Sequence, residues 1–144
     1  MSLIQAIYDF MQGCPLLDGD GKVRVNFLGE EPIEYVIEEV PAEPIVKRFL
    51  DGSSVRQMLF IFGSREDYDK NAVQNMISSS FYERLSEWLE KQTHNGDLPI
   101  LPESMEAQSI EAVTTAYAIE ADELGKTARY QIQCKLTYYK EAIT

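Results

Sequence analysis

Hydrophobic and polar residues alternate without interruption over residues 127–140. Ala128, Tyr130, Ile132, Cys134, Leu136 and Tyr138 fall on one side, and Arg129, Gln131, Gln133, Lys135, Thr137 and Tyr139 on the other. A period of two sustained this long predicts a strand with one buried and one wet face. A second long run, 108–121, precedes it across the turn Asp122-Glu123-Leu124-Gly125-Lys126. Together they predict a long hairpin with no reactive side chain at its tip.

Upstream, Ser2 caps a first helix with Leu3, Ile4, Ile7, Phe10 and Met11 at helical spacing, and Gly13 and Pro15 end it. Strands are expected over 22–28 and 33–40, joined by the acidic connector Gly29-Glu30-Glu31-Pro32. Pro41 and Pro44 punctuate the next joint, so 45–50 reads as a short or edge strand before the turn Asp51-Gly52-Ser53-Ser54. Residues 55–62 follow, with Leu59-Phe60-Ile61-Phe62 continuously apolar. Such a run fits a strand covered on both faces, at the centre of the sheet.

The period then changes. Residues 69–78 fit a helix turned inward through Val73, Met76 and Ile77. Ser80-Phe81-Tyr82-Glu83 has the form of a capping box that opens another helix, burying Phe81, Leu85, Trp88 and Leu89 and closed by Gly96. An extended loop over 97–104 holds Ile100-Leu101 between Pro99 and Pro102. Grouped strands and helices predict one α+β domain over 1–144, a mostly antiparallel sheet of about six strands packed against two or three helices.

A chain of 144 residues buries about 68–70% of its unfolded surface. Hydrophobic residues at 44% and aromatics at 10% are globular values. No apolar run approaches a membrane span, and residues 1–11 lack the basic start of a secretory signal. The expected setting is the cytoplasm. A net charge of −11 opposes sequence-reading contact with nucleic acid, which needs clustered Lys and Arg. Cys14 and Cys134 follow no metal spacing and are expected as buried free thiols, with a disulfide left open.

Catalytic chemistry finds little support. His94, the single histidine, sits in a polar stretch at a helix C-terminus, where the helix dipole favours its cation. Asp18-Gly19-Asp20-Gly21 starts like a calcium loop, but Lys22 takes the next ligand position and Gly29 the twelfth. The acidic pairs Glu30/Glu31, Glu38/Glu39 and Glu120/Asp122 read as solvated surface. No phosphate cradle, nucleophile elbow or metal pattern is visible. No catalytic residue, cofactor or metal is therefore expected. Tyr117, Tyr130, Tyr138 and Tyr139 crowd one hairpin, and such residues suit either a half-buried sheet or a subunit interface. Ile100 and Leu101 are double in the same way, as a partner-binding tip or a fold-back over the core.

Several stretches together resemble a family of small proteins from siphophages and prophages of Gram-positive bacteria, the minor capsid or tail terminator (tail-completion) proteins. They are IQAIYDFM at 4–11, NFLGEEP at 26–32, PIVKRF at 44–49, DGSSVR at 51–56, SFYE at 80–83 and ARYQIQC at 128–134. The likeness spans nearly the whole chain, and none of these stretches is a reaction signature. The resemblance implies a structural virion protein, made in the host cytoplasm, that forms a ring, commonly a hexamer. Its other partners would be the tail tube protein and a head-completion or connector protein, with DNA passing through without specific binding. It also implies a sheet backed by helices. A neighbouring head–tail adaptor role is the alternative, and a small-molecule enzyme a more distant one. Six copies would bring about −66 charges, and a bore lined by part of them would repel DNA phosphate.

Candidate contact surfaces on this reading are the hairpin over 108–140, with Tyr117, Arg129, Tyr130, Lys135 and Tyr139, the loop tip Ile100 and Leu101, and the turn at Ser53 and Ser54. Charge reversal at Arg129 or Lys135 is expected to weaken assembly and spare the fold.

Overall fold

The computed structural model describes residues 2–17, 22–25, 34–67, 72–121 and 127–143. Helix α1 (Leu3–Gln12) starts where Ser2 Oγ accepts the Gln5 amide at 3.2 Å. Its inward stripe buries Ala6, Ile7 and Met11. Strands β1 (Lys22–Val25), β2 (Glu34–Val40), β3 (Ile45–Arg48) and β4 (Ser54–Asp67) come next. Helix α2 (Ala72–Asn95) then precedes β5 (Met105–Ala112), β6 (Tyr117–Ala121) and β7 (Thr127–Lys140). The protein is α+β: among the described residues the sheet has seven strands, with every pairing antiparallel except that of β1 with β2, which is parallel.

Two long strands organise the sheet. β4 and β7 pair over their full length, from Ser54↔Lys140 to Asp67↔Thr127. On the far side of β4, β3 lies beside its start and β2 beside its later half; β1 pairs outside β2. On the far side of β7, β5 lies beside its end and β6 beside its start. The sheet therefore has four corners, with β3 and β6 diagonally opposite.

The alternation along β7 emerges with one departure: Gln131, expected on the wet face, is buried, its side chain bonded to Arg129 and Tyr117. Arg129, Gln133, Lys135, Thr137 and Tyr139 are half-exposed, and Tyr130, Ile132, Cys134, Leu136 and Tyr138 are buried. With Tyr35, Ile37, Phe60 and Phe62 they make the face that both helices cover. α1 and α2 meet through Phe10 and Trp88, 5.1 Å between ring centres. Tyr82 joins α2 to the sheet by polar contacts as well. Its hydroxyl lies 2.6 Å from Ser64 Oγ and donates to the Tyr130 carbonyl at 3.0 Å. Each fully buried large apolar side chain here contributes about 1.5–3 kcal/mol.

Four expectations change. The helical region is one 24-residue helix over its described span, and Ser80 lies exposed inside it instead of capping a second helix. No Pro or Gly interrupts residues 72–95, so continuing the main-chain hydrogen bonds costs less than breaking and recapping them. Tyr82, read from the capping-box pattern, is instead one of the largest buried side chains.

β4 sits at the sheet centre, but Leu59 and Ile61 are half-buried, because the helices cover one face only. The run 108–121 is broken at 113–116, where the Thr114 hydroxyl accepts the Gln133 amide at 3.1 Å in place of a main-chain carbonyl.

Finally, the chain reverses between Phe49 and Ser53, earlier than the Asp51–Ser54 reading. The Phe49 amide donates to the Ser53 carbonyl at 2.9 Å, and Gly52 takes the left-handed φ of +93°.

Gly96 ends α2 as expected, with φ +77°; its amide reaches the Thr93 carbonyl and the Asp97 amide the Gln92 carbonyl. Cys14 and Cys134 are both free and buried. The calcium-like turn at 18–21, the connector at 29–32, the strand ends 26–28 and 33, the helix start at 69–71 and the hairpin tip at 122–126 lie outside the described residues.

Candidate assembly surfaces

The helix-free face of the sheet carries a polar chain that runs through three strands. Arg129 on β7 reaches over β4 and donates from Nη1 and Nη2 to both carboxylate oxygens of Glu38 on β2, at 3.1 and 2.9 Å. Its Nε donates to Gln131 Oε1 at 2.9 Å. Gln131 Nε2 donates in turn to the Tyr117 hydroxyl of β6 at 2.8 Å, and Gln133 Nε2 reaches the same oxygen at 3.4 Å. These two donors lower the Tyr117 pKa by favouring its anion.

Gly63 makes the crossing possible. A Cβ there would stand 3.3 Å from both the Tyr130 carbonyl oxygen and Val36 Cγ1, and 3.6 Å from Arg129 Nε. A larger side chain would occupy the path of the guanidinium.

This geometry revises the list of contact residues. Arg129 spends its charge inside the chain, so it is a brace of the fold and not a free contact. Tyr130 fills the core beneath α2. Ser53 and Ser54 are buried: Ser53 donates its amide and hydroxyl to Asp51 Oδ1, and Ser54 Oγ accepts from Arg56 Nε at 3.0 Å. The Ser53 donors hold the exposed Asp51 carboxyl below its usual pKa. Lys135 and Tyr139 stay half-exposed, with Lys135 Nζ 3.5 Å from Glu111. Ile100 protrudes while Leu101 packs on the core, so the loop tip divides between the two roles. Tyr117 is exposed on its strand.

Six exposed apolar side chains gather at two corners, of which the sequence pointed to the second, through Tyr117 and its hairpin, and not to the first. One holds Val46, Phe49 and Leu50 around β3; the other holds Val113, Tyr117 and Ile119 around β6. The signal for the first was present in PIVKRFL, where apolar residues flank a basic pair on a strand bounded by Pro44 and Gly52. A cleft of about 490 Å³ opens between α2 and the link to β6, lined by Ser79, Glu83, Ser86, Glu87, Thr114 and Thr115, among others. A smaller apolar groove of about 370 Å³ lies between α1 and the loop at Leu98, Pro99 and Ile100.

His94 is exposed in the last turn of α2. Among the described residues no three His, Cys, Asp or Glu side chains group as a metal site, and no helix is long and apolar enough to cross a membrane. The sequence matches no protein-family model and no curated protein.

Proposed function

We propose that this chain is a structural virion protein, a subunit of the ring that ends tail-tube growth and joins tail to head. The observation that carries the reading is the pair of apolar corners around β3 and β6. Among the described residues both strands have one hydrogen-bonded neighbour each and expose side chains on both faces, although the helix-covered core is well filled. Exposed apolar residues on open strands are surfaces that another protein covers. Corners at opposite ends of one sheet suit a head-to-tail contact, which closes into a ring when the rotation is right. The resemblance of the sequence to tail terminator proteins supplies the biological setting. It also supplies the remaining partners, the tube protein and the connector, and a hexameric copy number.

In such a ring the acidic balance of the chain keeps phosphate off the bore, so DNA passes without specific binding. Electron microscopy of tails made without this protein tests the role. Overgrown tubes are expected. Tubes of normal length that lack heads would assign it to the neighbouring adaptor position, and intact phage would remove it from the tail altogether.

A further inference from the structure

We propose that β3 of one copy adds to the free edge of β6 on the next, continuing the sheet from one copy to its neighbour. Its closure into a ring rests on the reading above; the contact itself does not.

The other sheet margins are engaged at least in part. The outer edge of β5 meets α2 at Ile110, whose amide and carbonyl both bond to the Thr93 hydroxyl, and β1 lies against α1. Among the described residues β3 and β6 have no such cover. Val46 is 57% exposed, Ile119 is 47% exposed, and Leu50 projects entirely into solvent. Strands left open in this way take up another strand through their main-chain groups.

Charge selects both the occupant and its polarity. The chain carries −11, so two copies repel over most of their surface. β3 departs from this with a basic pair: Lys47 and Arg48 are adjacent and exposed, and Lys47 Nζ lies 5.2 Å from the Phe49 ring centre. β1 also has two bases in its sequence, Lys22 and Arg24, but lies against α1. β6 has the sequence YAIEA, with an acid and no base, and the cleft beside it exposes Glu83 and Glu87. Pairing β3 with β3 sets the basic pair against itself. Pairing β6 with β6 sets acid against acid. Only β3 on β6 brings opposite charges and two apolar margins together, and that contact is head-to-tail.

The test uses full-length Val46→Cys and Ile119→Cys variants, with circular dichroism melts confirming the wild-type fold. Cys14 and Cys134 are buried and stay out of the reaction. Under mild oxidation at high protein concentration, an equal mixture is expected to give a disulfide-linked dimer, and the double variant a ladder. Adding Lys47→Glu and Arg48→Glu should reduce the yield at least about tenfold, as should high salt, which screens exposed charges. Cross-linking as strong in either single variant alone would establish a symmetric contact and overturn the proposal. So would a mixture with no disulfide, whether the wild-type chain sediments as an oligomer or as a monomer. A mixed disulfide together with normal tails in the deletion phage would keep the strand pairing and remove the terminator role.

Discussion

Arg129 on β7 holds Glu38 on β2 across the intervening strand β4, through two charge-assisted hydrogen bonds. The side chains are 13% and 28% exposed, so water screens the pair only in part. Hydrogen bonds to charged groups contribute about 1.5–3 kcal/mol in such settings. Arg129→Ala is therefore expected to lower the urea midpoint and melting temperature, by several degrees for a chain of this size. An Arg129→Ala variant with wild-type stability and reduced self-association would show that the guanidinium serves a partner.

Lys135 gives the contrasting case. Its partner Glu111 is half-exposed and 3.5 Å away, and exposed pairs of this kind contribute about 0–1 kcal/mol. Lys135→Glu should leave the melting curve within about 0.5 kcal/mol of wild type. Comparing the two variants in one denaturation series separates a brace of the fold from a surface charge.

Gly63 sits under the Arg129 side chain, and its role is space. In Gly63→Ala the new Cβ presses on a main-chain oxygen that has little freedom to move, so a modest loss is expected. In Gly63→Val the branch enters the path to Glu38, and overpacking adds about 1–3 kcal/mol. A double-mutant cycle of Arg129→Ala with Glu38→Gln should show coupling in the wild-type background and none in Gly63→Val.

Thr93 substitutes for a strand. Its hydroxyl donates to the Ile110 carbonyl at 2.7 Å and accepts the Ile110 amide at 3.0 Å, closing the edge of β5 at that point. Thr93→Val keeps the shape and removes both bonds, with an expected cost of about 1–3 kcal/mol. Hydrogen exchange at the Ile110 amide should accelerate more than at neighbouring β5 amides. Unchanged protection there would mean that another group takes over.

These relationships also mark what the sequence made legible. Strand β7 was readable because one face alone meets helices, so its polarity alternates with the pleat. The central place of β4 was readable from Leu59-Phe60-Ile61-Phe62, although only Phe60 and Phe62 are fully buried. Ser80-Phe81-Tyr82-Glu83 misled because a serine three residues before a glutamate also occurs inside helices. Only the presence of a break would distinguish them, and none exists in the described span. The apolar spacing of Tyr82, Leu85 and Leu89, at three and seven, pointed to the buried face instead. The bracing role of Arg129 was hidden for a different reason. Its partner is 91 residues away, two strands distant, and reachable only because a glycine lies between them.

Cys134 links burial to pH. Its side chain is fully enclosed in the core, and loss of solvation raises the thiol pKa from 9.0 to about 12. The folded chain therefore keeps a proton that the unfolded chain releases. Stability from this group is present in full below 9.0 and declines as pH rises from there toward about 12. In that window the slope approaches about 1.4 kcal/mol per pH unit for one proton. The urea midpoint of the wild-type chain should fall faster above pH 9.0 than that of Cys134→Ala, whose lower starting stability reflects the cavity left behind. Modification of Cys134 by an aromatic disulfide reagent should also proceed no faster than the chain opens. Fast labelling of Cys134 in the native protein, with parallel pH profiles for the two chains, would show that the thiol is solvated.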